Sequence, residues 1–155
     1  MSLRTVLFVF VVAFGTNTLK ADDDGKQKAI HEEWKLRNGT WEPVSAVIDG
    51  KERPAPPKDR KMVLVYKDER YTDTVNGKVV GEGISKIVDP TQNPKTLDII
   101  PERDGAKGQT AQAIYELKGD ELKVCLARPG MERPKEFSSK PGSGYILLTF
   151  KKVKP

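Results

Sequence analysis

From Trp41 onward, apolar and polar residues alternate with a period of two, and turn-forming residues interrupt the alternation about every ten positions. This spacing predicts an all-β domain of short antiparallel strands, arranged as a sandwich or barrel. The first strand is read from Trp41 to Ile48, with Val44, Ala46 and Ile48 on one face and Asp49-Gly50 closing it. Between Trp41 and Val44 the phase slips by one, which predicts a bulge near Pro43, a residue that also lacks a ladder donor. The segment Lys51 to Arg60 contains Pro54, Pro56 and Pro57 and reads as an extended loop.

Strands are then expected over Lys61 to Tyr66 and Arg70 to Thr74. Asn76-Gly77 marks a tight hairpin, because a type I′ turn needs positive φ at both central residues. The returning strand, Lys78 to Ser85, carries Gly81 and Gly83, which permit sharp curvature. Leu97 and Ile99 alternate on the next strand, and Ala111 to Leu117 pairs with Glu121 to Ala127 through Lys118-Gly119-Asp120. An irregular stretch from Met131 to Gly144 precedes the last strand, Tyr145 to Val153. Eight or nine strands are enough for a single antiparallel up-and-down barrel, which leaves no long unpaired edge.

The pattern upstream is different. Lys26 to Arg37 is polar, with Ala29, Ile30, Trp34 and Leu36 at roughly helical spacing and Asn38-Gly39 as a C-terminal stop. Nearer the start, Arg4 is followed by nine apolar residues, Val6 to Phe14. That is the pattern of a secretory h-region, too short for the ~20 residues of a spanning helix. Cleavage after Gly15 or after Ala21 is open to it, with Ala21 favoured. The expected organisation is therefore a signal peptide over 1–21, a polar tail and short helix over 22–38, and a barrel over 39–155. An exported protein, periplasmic or extracellular and without a transmembrane anchor, is implied.

Charge then narrows the partners. Removing 1–21 takes away Arg4 and Lys20 and no acid, so the 27 basic and 22 acidic residues become 25 and 22. Basic and acidic side chains are interspersed rather than clustered, which argues against nucleic acid. Cys125 is the single cysteine, so no intrachain disulfide can form and packing must stabilise the domain. A chain of about 134 residues can bury roughly two-thirds of its unfolded surface, sufficient for one core.

Three segments carry a family resemblance. They are Gly39-Thr40-Trp41 with Val44-Ser45-Ala46 and Asp49-Gly50-Lys51; Ile114-Tyr115-Glu116-Leu117 with Gly119-Asp120-Glu121-Leu122-Lys123-Val124-Cys125; and Arg133-Pro134 through Phe137-Ser138-Ser139 to Lys140-Pro141-Gly142-Ser143-Gly144. Together they resemble a lipocalin-like domain of secreted planctomycete proteins, whose biochemical role is uncharacterised. The resemblance implies a calycin-type barrel in which Gly39 and Trp41 lie at the closed end and a basic side chain from the last strand, here Lys152, covers the indole. A cation over an indole face contributes ~0.5–2 kcal/mol, and closure of a barrel brings its first and last strands together.

Candidate chemistry is sparse. His31 is the one histidine and stands in the polar helix without a cysteine nearby, so it reads as a surface residue rather than part of a triad. One histidine and one cysteine do not make an ordinary zinc site, and neither metal nor other cofactor is expected. Asp22-Asp23-Asp24 and Glu32-Glu33 read as solvated acids, Cys125 as a small packed hydrophobe. No enzyme is indicated.

The barrel interior remains. An eight-stranded barrel is wide enough either to be filled by side chains or to hold one small ligand. Met62, Leu64, Tyr66, Ile99, Tyr115, Val124, Ile146 and Leu148 are the candidate lining residues, with the two phenols able to orient a ligand. The loops Lys51 to Arg60 and Pro129 to Gly144 are candidate gates. Two readings stay open: an exported module binding a small apolar or amphipathic ligand, and a non-catalytic protein-interaction module with a filled core.

Overall fold

The computed structural model describes residues 17–103 and 105–154, with side chains from residue 22. The h-region on which the signal-peptide reading rests lies outside the described residues. One helix, α1 (Asn17–Arg37), precedes nine strands: β1 (Gly39–Ile48), β2 (Lys51–Pro54), β3 (Met62–Lys67), β4 (Arg70–Val75), β5 (Lys78–Asp89), β6 (Lys95–Pro101), β7 (Ala111–Lys118), β8 (Glu121–Ala127) and β9 (Tyr145–Lys152).

Every strand from β3 to β8 pairs antiparallel with its successor, and β1 pairs with both β3 and β9. Eight strands therefore close into a barrel, and β2 is the additional one. The two edges of β1 explain the arrangement. Trp41 to Ile48 runs against Lys152 to Ile146 of β9 on one edge; on the other, Gly39 to Trp41 meets β3 and Ser45 to Ile48 meets β2. The Pro-rich segment thus begins as a short outer strand rather than as loop throughout. Its residues 51–54 are exposed, and Pro54 is tolerated because β2 is an edge.

The expected bulge is present, between Pro43 and Ser45 of β1. Its consequence corrects one detail: Val44 is the unpaired residue and is 45% exposed, so it does not share the inward face with Ala46 and Ile48. Asn76 and Gly77 both have positive φ, 51° and 76°, as the hairpin between β4 and β5 requires. β5 runs on to Asp89, four residues past the expected end at Ser85.

Helix α1 starts at Asn17 rather than Lys26. Its buried residues Ile30, Glu33 and Arg37 recur at helical spacing and face one end of the barrel. At its C-terminus the Asn38 side chain donates to Asp68 Oδ1 (3.0 Å) and accepts from the Asp68 backbone N–H (2.7 Å), tying the helix end to the β3–β4 turn. The core inside the barrel joins Trp41, Leu64, Tyr66, Leu97, Ala113, Tyr115, Leu122 and Phe150 to Ile30 of the helix.

Candidate functional site

The two ends of the barrel differ. At the first, α1 forms a plug. Trp41 is fully buried and its indole N–H donates to the Arg37 carbonyl at 2.8 Å. Lys152, opposite Trp41 in the β1–β9 register, places its ammonium 5.3 Å from the indole centroid and donates to the Leu36 carbonyl at 2.8 Å. It thereby satisfies one of the carbonyls that a helix C-terminus leaves without a partner. Gly39 has φ 129°, and a Cβ there would stand 3.0 Å from Lys152 Cε. Gly39, Trp41 and Lys152 therefore form one contact set at the plugged end.

Two further side chains complete the plug. The Arg37 guanidinium is wholly buried, donating to Ser85 Oγ (2.8 Å) and Ser85 O (2.9 Å) and lying 4.4 Å over the Tyr66 ring. Glu33 is buried as well, accepting from Tyr115 OH at 3.1 Å and from Lys95 Nζ. Burial, and next the Glu33 charge, push the Tyr115 phenol well above its ordinary range. Arg37 was not singled out by sequence reasoning, and Glu33, read there as one of two solvated acids, is buried instead because Tyr115 and Lys95 supply its partners. The available signal was their spacing of four on the same helical face as Ile30, a face that otherwise reads as too polar to bury.

Beyond the plug, the interior is hollow. A cavity of about 820 Å³ opens between the barrel wall and the Pro-rich segment. Pockets that hold small molecules commonly span ~300–1,000 Å³ and are mostly apolar with a few polar groups. This one fits that description, with Ala46, Ile48, Leu64, Ile99, Leu126 and Phe150 among its walls.

Of the expected lining residues, Met62, Leu64, Tyr66, Ile99, Val124 and Leu148 border the cavity. Tyr115 does not: its ring belongs to the core at the helix plug, where Glu33 holds the hydroxyl. Ile146 does not border it either, although it continues the inward row of β9. Of the two expected gates, only the first stands at the cavity, through Arg53, Pro54, Ala55, Pro56, Pro57 and Arg60.

The second gate, Pro129 to Gly144, is instead a strap across the outside of the barrel. Arg133 anchors it, donating to the Leu97 and Ala113 carbonyls, each at 2.6 Å, and to Asp98 Oδ1 at 2.7 Å. Pro134 is buried, and Cys125 on the outer face of β8 lies beneath the strap with its thiol 3.4 Å from the Ser138 carbonyl. The strap has no wall of the cavity to open because it packs on the opposite side of the sheet.

Polar groups on the cavity wall were also missed. Tyr66 faces Tyr71 across the β3–β4 pair, and Leu64 faces Asp73 one step nearer the mouth. Asp73 borders the cavity, and burial raises its carboxyl from 3.8 to about 6. The Tyr71 phenol is pushed up to about 12, mainly by burial and then by the Asp73 charge. Gly81 stands opposite Asp73 and Gly83 opposite Tyr71. A Cβ on Gly81 would lie 3.1 Å from Asp73 Oδ2, and one on Gly83 would lie 2.2 Å from the Ile100 carbonyl. The two glycines make room for an acid and a phenol on the inner face. A usable signal existed: Tyr71 and Asp73 alternate in phase on a strand whose partner carries glycines at matching positions.

His31 is exposed on α1, its ring edge-on to Trp34 at 5.9 Å. Among the described residues, no group of three or more His, Cys, Asp or Glu is placed to hold a metal ion. No described helix is long and apolar enough to cross a membrane.

An eight-stranded antiparallel barrel, closed from first strand to last and plugged at one end by an N-terminal helix, defines a lipocalin-like all-β protein. Beyond the fold class, comparison adds no relative: no protein-family description, curated protein or solved structure matches the chain.

Proposed function

We propose that the chain is an exported, non-catalytic binding module whose barrel takes up a small apolar or amphipathic molecule. The observation that carries this reading is the cavity of about 820 Å³, apolar over most of its wall and bordered by the Pro-rich segment at its mouth. Packed interiors ordinarily leave few voids larger than a water molecule. A cavity of this size counts against the filled core on which a pure interaction module would rest. Export rests on the Val6 to Phe14 run, and membership of the lipocalin-like family of secreted planctomycete proteins on the three sequence segments that resemble it.

The test is direct. Purified protein is examined by native mass spectrometry for a co-purified molecule, and titrated with the neutral fluorophore N-phenyl-1-naphthylamine. Saturable, one-to-one enhancement of fluorescence is expected. Absence of any saturable binding would overturn the reading.

A further inference from the structure

On the inner face of the barrel strands, one carboxylate borders the cavity without a partner. Asp73 borders the cavity from β4, and among the described residues it enters no ion pair. Burial is the sole influence that displaces its titration; neither a neighbouring cation nor a donor offsets it. Each adjacent surface explains why. β3 presents Leu64 and the Tyr66 phenol, β4 presents the Tyr71 phenol, and β5 presents Gly81, which has no side chain. Both phenols are pushed above their ordinary range by burial and stay neutral near neutral pH. The Tyr66 ring is engaged by Arg37, whose guanidinium lies 4.4 Å from its centroid. The cations that border the cavity, Arg53 and Arg60, belong to the exposed Pro-rich segment, and neither acts on Asp73.

Asp73 is half-buried, its carboxylate set in a mostly apolar cavity wall, and a carboxylate partly withdrawn from water without a partner is unfavourable. A ligand can supply the missing partner. A negatively charged head would meet Asp73 as a like charge, whereas a neutral hydrocarbon would leave it desolvated and unpaired. A protonated amine would form a charge-assisted hydrogen bond with it, the strong kind. We propose that the barrel selects an amphiphile bearing a protonated amine, its ammonium paired with Asp73 and its apolar body filling the cavity. This proposal rests on the ligand-binding reading above and names the chemical class of ligand for the same site.

The experiment compares three ligands of one chain length, dodecylammonium, dodecanol and dodecanoate, each below its aggregation concentration, as competitors of N-phenyl-1-naphthylamine. In the unmodified protein at pH 7.5, the ammonium is expected to bind at least about tenfold more tightly than the alcohol, with the carboxylate weakest. At pH 5, Asp73 takes up a proton while dodecylammonium keeps its charge, so the ammonium-to-alcohol ratio should fall several-fold. Asp73→Asn should bring that ratio close to one at both pH values, a comparison made within one protein and so insensitive to general changes in the cavity.

Dodecanoate binding as tightly as dodecylammonium would move the polar contact to Arg53 and Arg60 at the mouth and overturn the proposal. Equal binding of alcohol and ammonium, or an ammonium-to-alcohol ratio unchanged in Asp73→Asn, would overturn it too. Those results leave the cavity as a binding site. Failure of the neutral fluorophore and of all three competitors to bind would instead remove the ligand-binding reading, and this proposal with it.

Discussion

The Lys152 ammonium lies 5.3 Å from the centre of the Trp41 indole while donating to the Leu36 carbonyl at 2.8 Å. One side chain thus ties the last strand to the first strand and to the end of the helix. Lys152→Met keeps much of the stem and removes the charge. It is expected to cost about 1–2 kcal/mol, the sum of a cation over an aromatic face and a lost helix-end hydrogen bond. Urea denaturation measures this, and Lys152→Arg should lose less than half as much. An equal loss in both variants would mean that the charge contributes little.

Asp73 predicts a pH dependence of stability. Its folded pKa of about 6 lies above the ordinary 3.8, so the folded protein holds this proton more tightly than the unfolded chain. The ionised form therefore destabilises the fold fully above pH 6, and the penalty disappears as pH falls through 6 toward 3.8. The displacement corresponds to about 3 kcal/mol at most, and water entering through the cavity reduces it. Asp73→Asn should be more stable than the unmodified protein by about 1–2 kcal/mol at pH 7.5, with the advantage shrinking by pH 4.5. Denaturant midpoints of the two proteins across that range decide it; parallel curves would contradict the assignment.

Gly83 and Gly81 should respond differently to alanine. At Gly83 the new methyl would meet backbone, the Ile100 carbonyl at 2.2 Å and Pro101 Cα at 2.9 Å. Neither can move without parting β5 from β6, and a loss above about 3 kcal/mol is expected. At Gly81 the methyl would meet only the Asp73 carboxylate at 3.1 Å, the end of a side chain that can turn away. A loss of about 1 kcal/mol or less is expected there. Thermal melts of the two variants give the comparison, and similar losses would refute it.

Arg133 and Cys125 provide a test of the strap. The thiol is fully buried, and burial pushes it above its ordinary range, so little thiolate is available. Native protein should react with Ellman's reagent at least about 100-fold more slowly than protein in denaturant. Arg133→Ala removes three hydrogen bonds to β6 and β7 and should speed the reaction about tenfold without unfolding the barrel. An unchanged rate, with the variant folded by circular dichroism, would show that the strap is held by Pro134 and its neighbours instead.

Alternation along the chain was enough for the eight barrel strands, though not for the outer strand β2, and the bulge near Pro43 and the Asn76-Gly77 turn were legible too, because each depends on residues adjacent in sequence. It also placed Met62, Leu64 and Val124 on the inner face. What alternation could not give is depth. Tyr115 and Met62 share the inward phase, yet α1 covers the first and leaves the second on the cavity wall. The helix itself was legible, but its face of Ile30, Glu33 and Arg37 looked too polar to bury until Lys95, Tyr115 and Ser85 supplied partners from β6, β7 and β5.

By itself the sequence determined an all-β chain behind a helix; the meeting of Gly39, Trp41 and Lys152 at the junction of first and last strands was what the family resemblance implied. Only the tertiary structure decided that the barrel is hollow, that the Pro-rich segment borders its mouth, and that Asp73 stands unpaired inside. The reason is physical: strand periodicity is a local property of the backbone. Cavity volume and the solvation of a carboxylate depend instead on what eight strands, far apart in sequence, bring to the same space.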